Sequence, residues 1–267
     1  IPFPLTGSLY FICCFCSKSP PHIITSSGFP NIFLKLFLKH PILLGKNMIE
    51  RVNAYVLSSR KFKDSLRLAH VFTLEYGVQT YLFRTGKKGE NISFFQPLNA
   101  IQFTGKKSDG KLEIVKDMSL SSIYESIPFQ VEKSTVALFI SEFLYRCLPE
   151  HYVNIEVFEL IKNTATRLDN SDKAGTLPIH FIAQFALEMG FLSEEYDLSF
   201  ENTRDDEAEL HQSLKLFIST PIETDVFSSL NRNQRKALLE ELIAFCSSQL
   251  DTPIHLNSLE MFHEIFE

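Results

Sequence analysis

From Met48 to about Tyr124 the apolar residues alternate with polar ones, whereas after Ile127-Pro128 they return every three or four positions. Side chains of period two line one face of a strand and those of period 3.6 line one face of a helix, so the chain must carry a β module followed by a helical one. Val52, Ala54 and Val56 set the first period, and similar runs follow at Leu66 to Leu74, Val78 to Thr85, Ala100 to Thr104 and Leu112 to Met118. Val136, Ile140, Phe143 and Cys147 set the second, until Pro149 stops it. The fold class is α+β, with strands first.

Turn chemistry separates the strands. Gly77 follows Glu75-Tyr76, Gly86-Lys87-Lys88-Gly89 closes the third run, and Ser108-Asp109-Gly110 suits a hairpin between the fourth and fifth. Five short strands in so little chain predict a small closed barrel, which hides its edges and leaves loops and one curved face to grip an extended strand, as OB-folds do. In the helical part, Asn154 caps a helix striped with Phe158, Ile161, Ala165 and Leu168, and Gly190 ends one containing Ile182, Phe185 and Met189. Asn231 with Gln234 forms a capping box before Leu238, Leu242 and Phe245, and Leu259, Phe262 and Phe266 mark a last short helix. Asn202 to Glu209 is a solvated acidic linker or a helix start.

Charge follows the same division. Residues 48–125 hold 12 Lys/Arg against 8 Asp/Glu, residues 126–267 hold 10 against 24, and the first 47 hold 4 against 0, which together give the net charge of −6. A mildly acidic total therefore conceals a basic β module, and that points to nucleic acid as a partner. Arg60, Lys61, Lys63 and Arg67 surround the expected first turn, Arg84, Lys87 and Lys88 end the third strand, and Lys106 and Lys107 flank the last hairpin. Together they make one candidate phosphate-tracking surface. Lysines in turns also keep loops solvated and edges unpaired, so only the clustering favours function. Phe62, in the expected loop among these cations, is the better candidate for stacking on bases; Tyr81 and Phe83 share one strand face, where barrels need large interior side chains.

The remaining chemistry is sparse. Residues 1–47 contain no Asp or Glu, lack a leading Met and run into Met48; they are expected to be a non-native upstream extension, irregular or disordered. Domain limits are therefore expected at 1–47, 48–125 and 126–267. Cys13, Cys14 and Cys16 with His22 match no standard zinc spacing, and Cys147 and Cys246 sit on apolar helical stripes. Lys35, Lys39 and Lys46 interrupt the most apolar region, so no membrane span is expected, and the cysteine usage suits a reducing cytoplasm. No phosphate-wrapping Gly-Lys motif predicts ATP use, no cofactor is implied, and His180, His211, His255 and His263 read as packing residues. No enzyme is predicted.

The order of segments resembles the bacterial RecO family of recombination mediators from Met48 onward. The resemblance rests on Ala54-Tyr55-Val56-Leu57 followed by Arg60 to Ser65, on Phe72 to Gly77, and on Tyr81-Leu82-Phe83-Arg84. It continues through Gln96-Pro97-Leu98, Ile127-Pro128-Phe129, Lys133-Ser134 with Ala137-Leu138-Phe139, His180-Phe181 to Gly190-Phe191, and Ser258 to Phe266. It implies an N-terminal OB-fold and an all-helical C-terminal domain. It further implies binding of single- and double-stranded DNA, annealing without ATP, and help in loading recombinase onto strands coated by single-strand-binding protein, in the nucleoid-associated cytoplasm. The implied partners are RecR and the acidic, apolar C-terminal tail of single-strand-binding protein, for which Arg146, Lys162, Arg232, Arg235 and Lys236 are the candidate contacts in the acidic helical module. Two departures stand out: the cysteine zinc motif of many relatives is missing, and Thr85 separates Arg84 from Gly86. A rival from another class is a protein-interaction adaptor that does not touch DNA.

Overall fold

The computed structural model describes residues 50–86, 91–106, 112–192, 207–226 and 229–266. Five antiparallel strands come first, β1 (Glu50–Lys63), β2 (Leu66–Thr73), β3 (Gly77–Arg84), β4 (Ala100–Gly105) and β5 (Lys116–Leu120), in the spatial order β3-β2-β1-β4-β5. Closure comes from the segment entering β5: Leu82 N–H donates to the Glu113 carbonyl (2.9 Å) and Val115 N–H donates to the Leu82 carbonyl (2.9 Å), a parallel bridge that joins β3 to the far edge. The result is the small OB-like barrel. Its interior is aromatic, with Tyr81, Phe83, Phe95 and Phe103 meeting edge to face at 5.0 to 5.2 Å where they are nearest. Tyr81 and Phe83 are thus core residues, and the Tyr81 hydroxyl donates to the Lys106 carbonyl across the barrel (2.9 Å).

β1 is longer than its apolar pattern. The strand runs on through Ser58 and Ser59 to Lys63, with register irregularities between Val56 and Ser58 and between Lys61 and Lys63. Such bulges bend a strand and increase its twist, which lets one central strand pair with β2 at one end and β4 at the other. Phe62 and its cationic neighbours therefore lie on a strand, correcting the expectation of a loop; the turn is the dipeptide Asp64-Ser65. The fifth strand also lies later than the expected Leu112 to Met118.

Six helices follow among the described residues: α1 (Val131–Cys147), α2 (Ile155–Asn170), α3 (Leu177–Glu188), α4 (Glu207–Ser219), α5 (Arg232–Gln249) and α6 (Ser258–Phe266). Asn154 Oδ1 accepts from Val157 N–H (2.9 Å), the Asn231–Gln234 capping box is complete in both directions, and Gly190 adopts φ +71° past α3. α4, with Leu210, Leu214 and Phe217 buried, occupies ground where the acidic run suggested a linker or helix start. Cys147 and Cys246 are buried, and burial pushes both thiols up, Cys246 to about 12, so they pack rather than react. None of the described helices is long and apolar enough to cross a membrane.

The barrel and helices share a core. Tyr55, Leu57 and Phe72 face outward from the barrel into the helical cluster, where Phe158 of α2 meets Tyr55 at 5.0 Å and Phe72 at 6.0 Å. At Gly77 the chain turns with φ +68°, and a Cβ there would overlap the Tyr152 backbone, so both the conformation and the close approach demand glycine. The connecting strap is pinned by Asp169 of α2, whose carboxylate accepts the N–H groups of Glu125 (2.9 Å), Ser126 (2.7 Å) and Ile127 (3.0 Å). Burial works against the charged form of Asp169, but these donors outweigh it and hold the carboxyl below its usual range. Lys133 is buried beneath, donating to Ser126 Oγ (2.8 Å) and the Asp169 carbonyl (2.7 Å).

Candidate nucleic-acid interface

Strand pairing decides which cations share a face. Directly paired residues in antiparallel strands point the same way, and residues two apart along a strand stay on that side. Lys63 pairs with Leu66 and Leu66 with Arg84; Arg60 pairs with Leu68 and Leu68 with Leu82. Lys63, Arg84 and Arg60 thus lie on one outer face of β1, β2 and β3, all three exposed, with Leu66, Leu68 and Leu82 between them. Lys61 pairs with Arg67 and points to the opposite face.

The opposite face has its own occupation. Lys61 forms an exposed ion pair with Asp64 (3.1 Å). Arg67 is half-buried at the barrel mouth, donates to Ser59 Oγ (3.0 Å) and lies 5.8 Å from the Phe95 ring centre, which makes it part of the barrel's plug. Lys106 sits at the end of β4, ion-paired to Glu113 (2.8 Å), so it is placed apart from the Arg60 face. Phe62 is 45 % exposed at the strand tip with the Lys63 ammonium 5.8 Å from its ring centre. Lys87, Lys88 and Lys107, like Cys13, Cys14, Cys16 and His22, lie outside the described residues. The predicted surface is therefore divided: Arg60, Lys63 and Arg84 share one strand face with Phe62 beside Lys63 at its end, and Lys61 and Lys106 face elsewhere.

A second basic cluster lies on the helical side. Arg232, Arg235 and Lys236, in the first turns of α5, rim a shallow groove floored by Ile179, Leu239, Phe262 and Phe266 and walled by Gly175. A Cβ at Gly175 would meet the Phe266 ring at 3.1 Å, so glycine lets the ring lie flat there. Arg235 Nη1 donates to the Leu230 carbonyl (3.0 Å) just before the helix. Arg146 and Lys162 are not in this groove: Lys162 pairs with Glu159 on the surface of α2 (2.8 Å), and Arg146 lies near Glu142 and over Tyr145 on α1. The charge of α5 was visible in the sequence; the apolar floor, which α3 and α6 complete beside Leu239, was not.

Beneath α3 is a buried polar pair. His180 is fully buried, its Nε2–H donating to the Thr220 carbonyl (2.8 Å) and its Nδ1 accepting from Arg167 (2.9 Å). Arg167 also donates to the Ile222 carbonyl (2.9 Å) and Asp225 (3.1 Å). Burial, with the neighbouring guanidinium, brings the imidazole down to about 4, so it is neutral at pH 7. This is the packing role expected for His180, strengthened by a network joining α2, α3 and the segment after α4.

Residues 48–124 match the family model described as Recombination protein O N terminal. The chain is 27% identical over 237 residues to the DNA repair protein RecO of Flavobacterium psychrophilum, covering 81% of this chain and 98% of that one. It is 27% identical over 236 residues to that of Flavobacterium johnsoniae and 23% over 238 to that of Christiangramia forsetii, covering 98% and 100% of their lengths. The chain is thus similar to RecO proteins over most of its length. The aromatic barrel interior and the cations of β1 and β3 fall within the matched residues 48–124, while the α5 groove lies beyond that segment.

Proposed function

We propose that this RecO-like chain acts in DNA repair and recombination as a non-catalytic mediator, gripping DNA by its phosphates on the Arg60, Lys63 and Arg84 face. The observation that carries the reading is the strand register, which sets three exposed cations on one face of the barrel; the exposed Phe62 ring lies beside Lys63 at the end of that face. A strand held by its backbone leaves its bases free to pair, which is the physical requirement for annealing. Lys87, Lys88 and Lys107, which lie outside the described residues, are assigned to the same phosphate contacts from their place in the sequence, with Lys61 and Lys106 as peripheral ones.

The groove supports a protein partner. Three cations around an apolar floor suit a peptide with acidic residues and an apolar end, as in the C-terminal tail of single-strand-binding protein, and we assign that tail to Arg232, Arg235 and Lys236. Arg146 and Lys162 lie away from it, and RecR is assigned to the family's shared machinery rather than to a particular face. The test is the salt dependence of single-stranded DNA binding, with complementary-strand annealing followed in parallel. Binding should weaken linearly in log salt with a slope of about −0.7 per phosphate neutralised, and Arg60→Glu/Arg84→Glu should lose both slope and annealing. Salt-insensitive binding, or an unaffected double variant, would favour the adaptor that meets only proteins.

A further inference from the structure

The cationic face does not stop at the barrel. Two residues along β2 and β3 from the row of Leu68 and Leu82 comes the row of His70 and Thr80, on the same face and joined by a 2.9 Å hydrogen bond. Each such step is about 7 Å. Tyr145 of α1 packs against His70 with ring centres 4.9 Å apart, and the Arg146 guanidinium lies 5.8 Å from the Tyr145 ring centre. Successive rows thus bring the Lys63 and Arg84 pair, then Arg60, then the His70–Tyr145 stack, and then Arg146, up to the seam where barrel meets helix.

The polar surroundings leave Arg146 available. Its acidic neighbour Glu142 is only 4.0 Å away at best and spends its carboxylate on the start of α6, accepting from Ser258 N–H (2.8 Å), Ser258 Oγ (2.6 Å) and Asn257 N–H (3.0 Å). Burial, reinforced by Arg60 and opposed by Glu150, holds His70 below its usual range, so the charge of this path comes from its arginines. Glu150, exposed after α1, bounds the path on that side.

We propose that a bound single strand continues from the barrel tip across the seam onto α1, with Arg146 neutralising a phosphate and Tyr145 offering its ring to a base or sugar. The proposal rests on the DNA-binding reading above and extends the site to two residues on a different element. It reassigns Arg146 from a protein contact to a nucleic-acid contact.

The full chain contains no tryptophan, so Tyr145→Trp introduces a lone indole at the seam. Its emission should be quenched by an oligothymidine of about twelve residues and left unchanged by one of about four, which the barrel tip alone can hold. Arg146→Ala should weaken the longer oligomer several-fold and make its salt slope shallower by about 0.7, leave the shorter one unaffected, and be rescued by Arg146→Lys. Anisotropy of labelled strands gives binding independently of the indole. If the longer strand saturates the protein without quenching, and Arg146→Ala keeps the parent slope, the seam is not part of the site. If Arg60→Glu/Arg84→Glu also leaves binding intact, the barrel reading itself fails; if that double variant alone loses binding, only the extension falls.

Discussion

The barrel tip and the α5 groove are both basic and both carry aromatic rings, yet they differ in what lies between the charges. At the tip, Arg60, Lys63 and Arg84 stand on a strand face with the leucines beneath them largely covered and one ring, Phe62, projecting. In the groove the cations rim a floor of Ile179, Leu239, Phe262 and Phe266. A flat array of charge follows a repeating phosphate chain without regard to sequence, whereas charge around an apolar floor needs a ligand with an apolar anchor. The same residue types thus separate two ligand classes by geometry. The most direct way to break this distinction is charge reversal at the tip: Arg60→Glu/Arg84→Glu should lower single-strand affinity by at least about a hundredfold at low salt, as expected when phosphate contacts become repulsive. Titration with an acidic peptide ending in phenylalanine should be unchanged in the same variant. Parallel loss of both ligands would mean that they share one surface.

Acid offers a second test, of whether the two regions are one cooperative body. His180 titrates near 4 when folded, against an ordinary value of 6.5, so the unfolded chain binds more protons between those limits and stability must fall as pH drops from about 6.5 towards 4. Complete expression of that shift corresponds to about 3 kcal/mol. Asp169 acts lower: its carboxyl is held below the usual range, so its contribution is present above about 4 and is lost as pH falls through the depressed value. Because Phe158 packs on Tyr55 and Phe72, loss of the helical core should take the barrel with it. Chemical denaturation from pH 7 to 4.5, followed by helical circular dichroism and by DNA binding, should give coincident transitions. His180→Gln should flatten the pH dependence; a barrel that still binds DNA after the helices melt would show two independent units.

Much of this fold was legible in the sequence, and the exceptions share a cause. The caps at Asn154 and Asn231 and the stop at Gly190 are local chemistry, decided within a few residues, and the structure has them where the sequence put them. The alternation of Val52, Ala54 and Val56 marked the first strand and its barrel side, but burial of the other side, where Tyr55 and Leu57 meet the helices, was not read from it and depends on the packing of the helical module. What could not be read was the continuation of β1 through Ser58 and Ser59, since its polar residues carry no period and the bulges that permit it depend on pairing with β2. The division of Arg60 from Lys61 follows from that register. Likewise α4 was obscured by the acidic run before it, although Leu210, Leu214 and Phe217 hold the helical spacing. The groove joins residues more than eighty positions apart, from Gly175 to Phe266, which no local pattern announces.

A smaller effect tests the groove. Lys236→Glu should weaken the acidic peptide by about tenfold, close to 1.4 kcal/mol, while leaving single-strand affinity within experimental scatter; calorimetry with the peptide and anisotropy with the strand measure the two separately. Phe266→Ala, which removes part of the floor without altering charge, should reduce peptide binding with little change in its salt dependence. If Lys236→Glu instead weakens DNA and spares the peptide, the assignments of the two basic sites must be exchanged.

The smallest effect concerns Phe62, and it discriminates most finely between phosphate tracking and base contact at the tip. With its ring 45 % exposed and the Lys63 ammonium 5.8 Å from the ring centre, Phe62 contributes little to the barrel core, so Phe62→Ala should leave thermal stability nearly unchanged. Base–aromatic stacking measured by alanine substitution is worth about 1–3 kcal/mol, and a ring partly covered by its own neighbour belongs at the lower end, about fivefold in affinity. The loss should be independent of salt, because stacking releases no counterions, so the parent and variant lines of log affinity against log salt should run parallel. Convergence of those lines at high salt would show that the substitution acts through Lys63 and that the tip holds only phosphates.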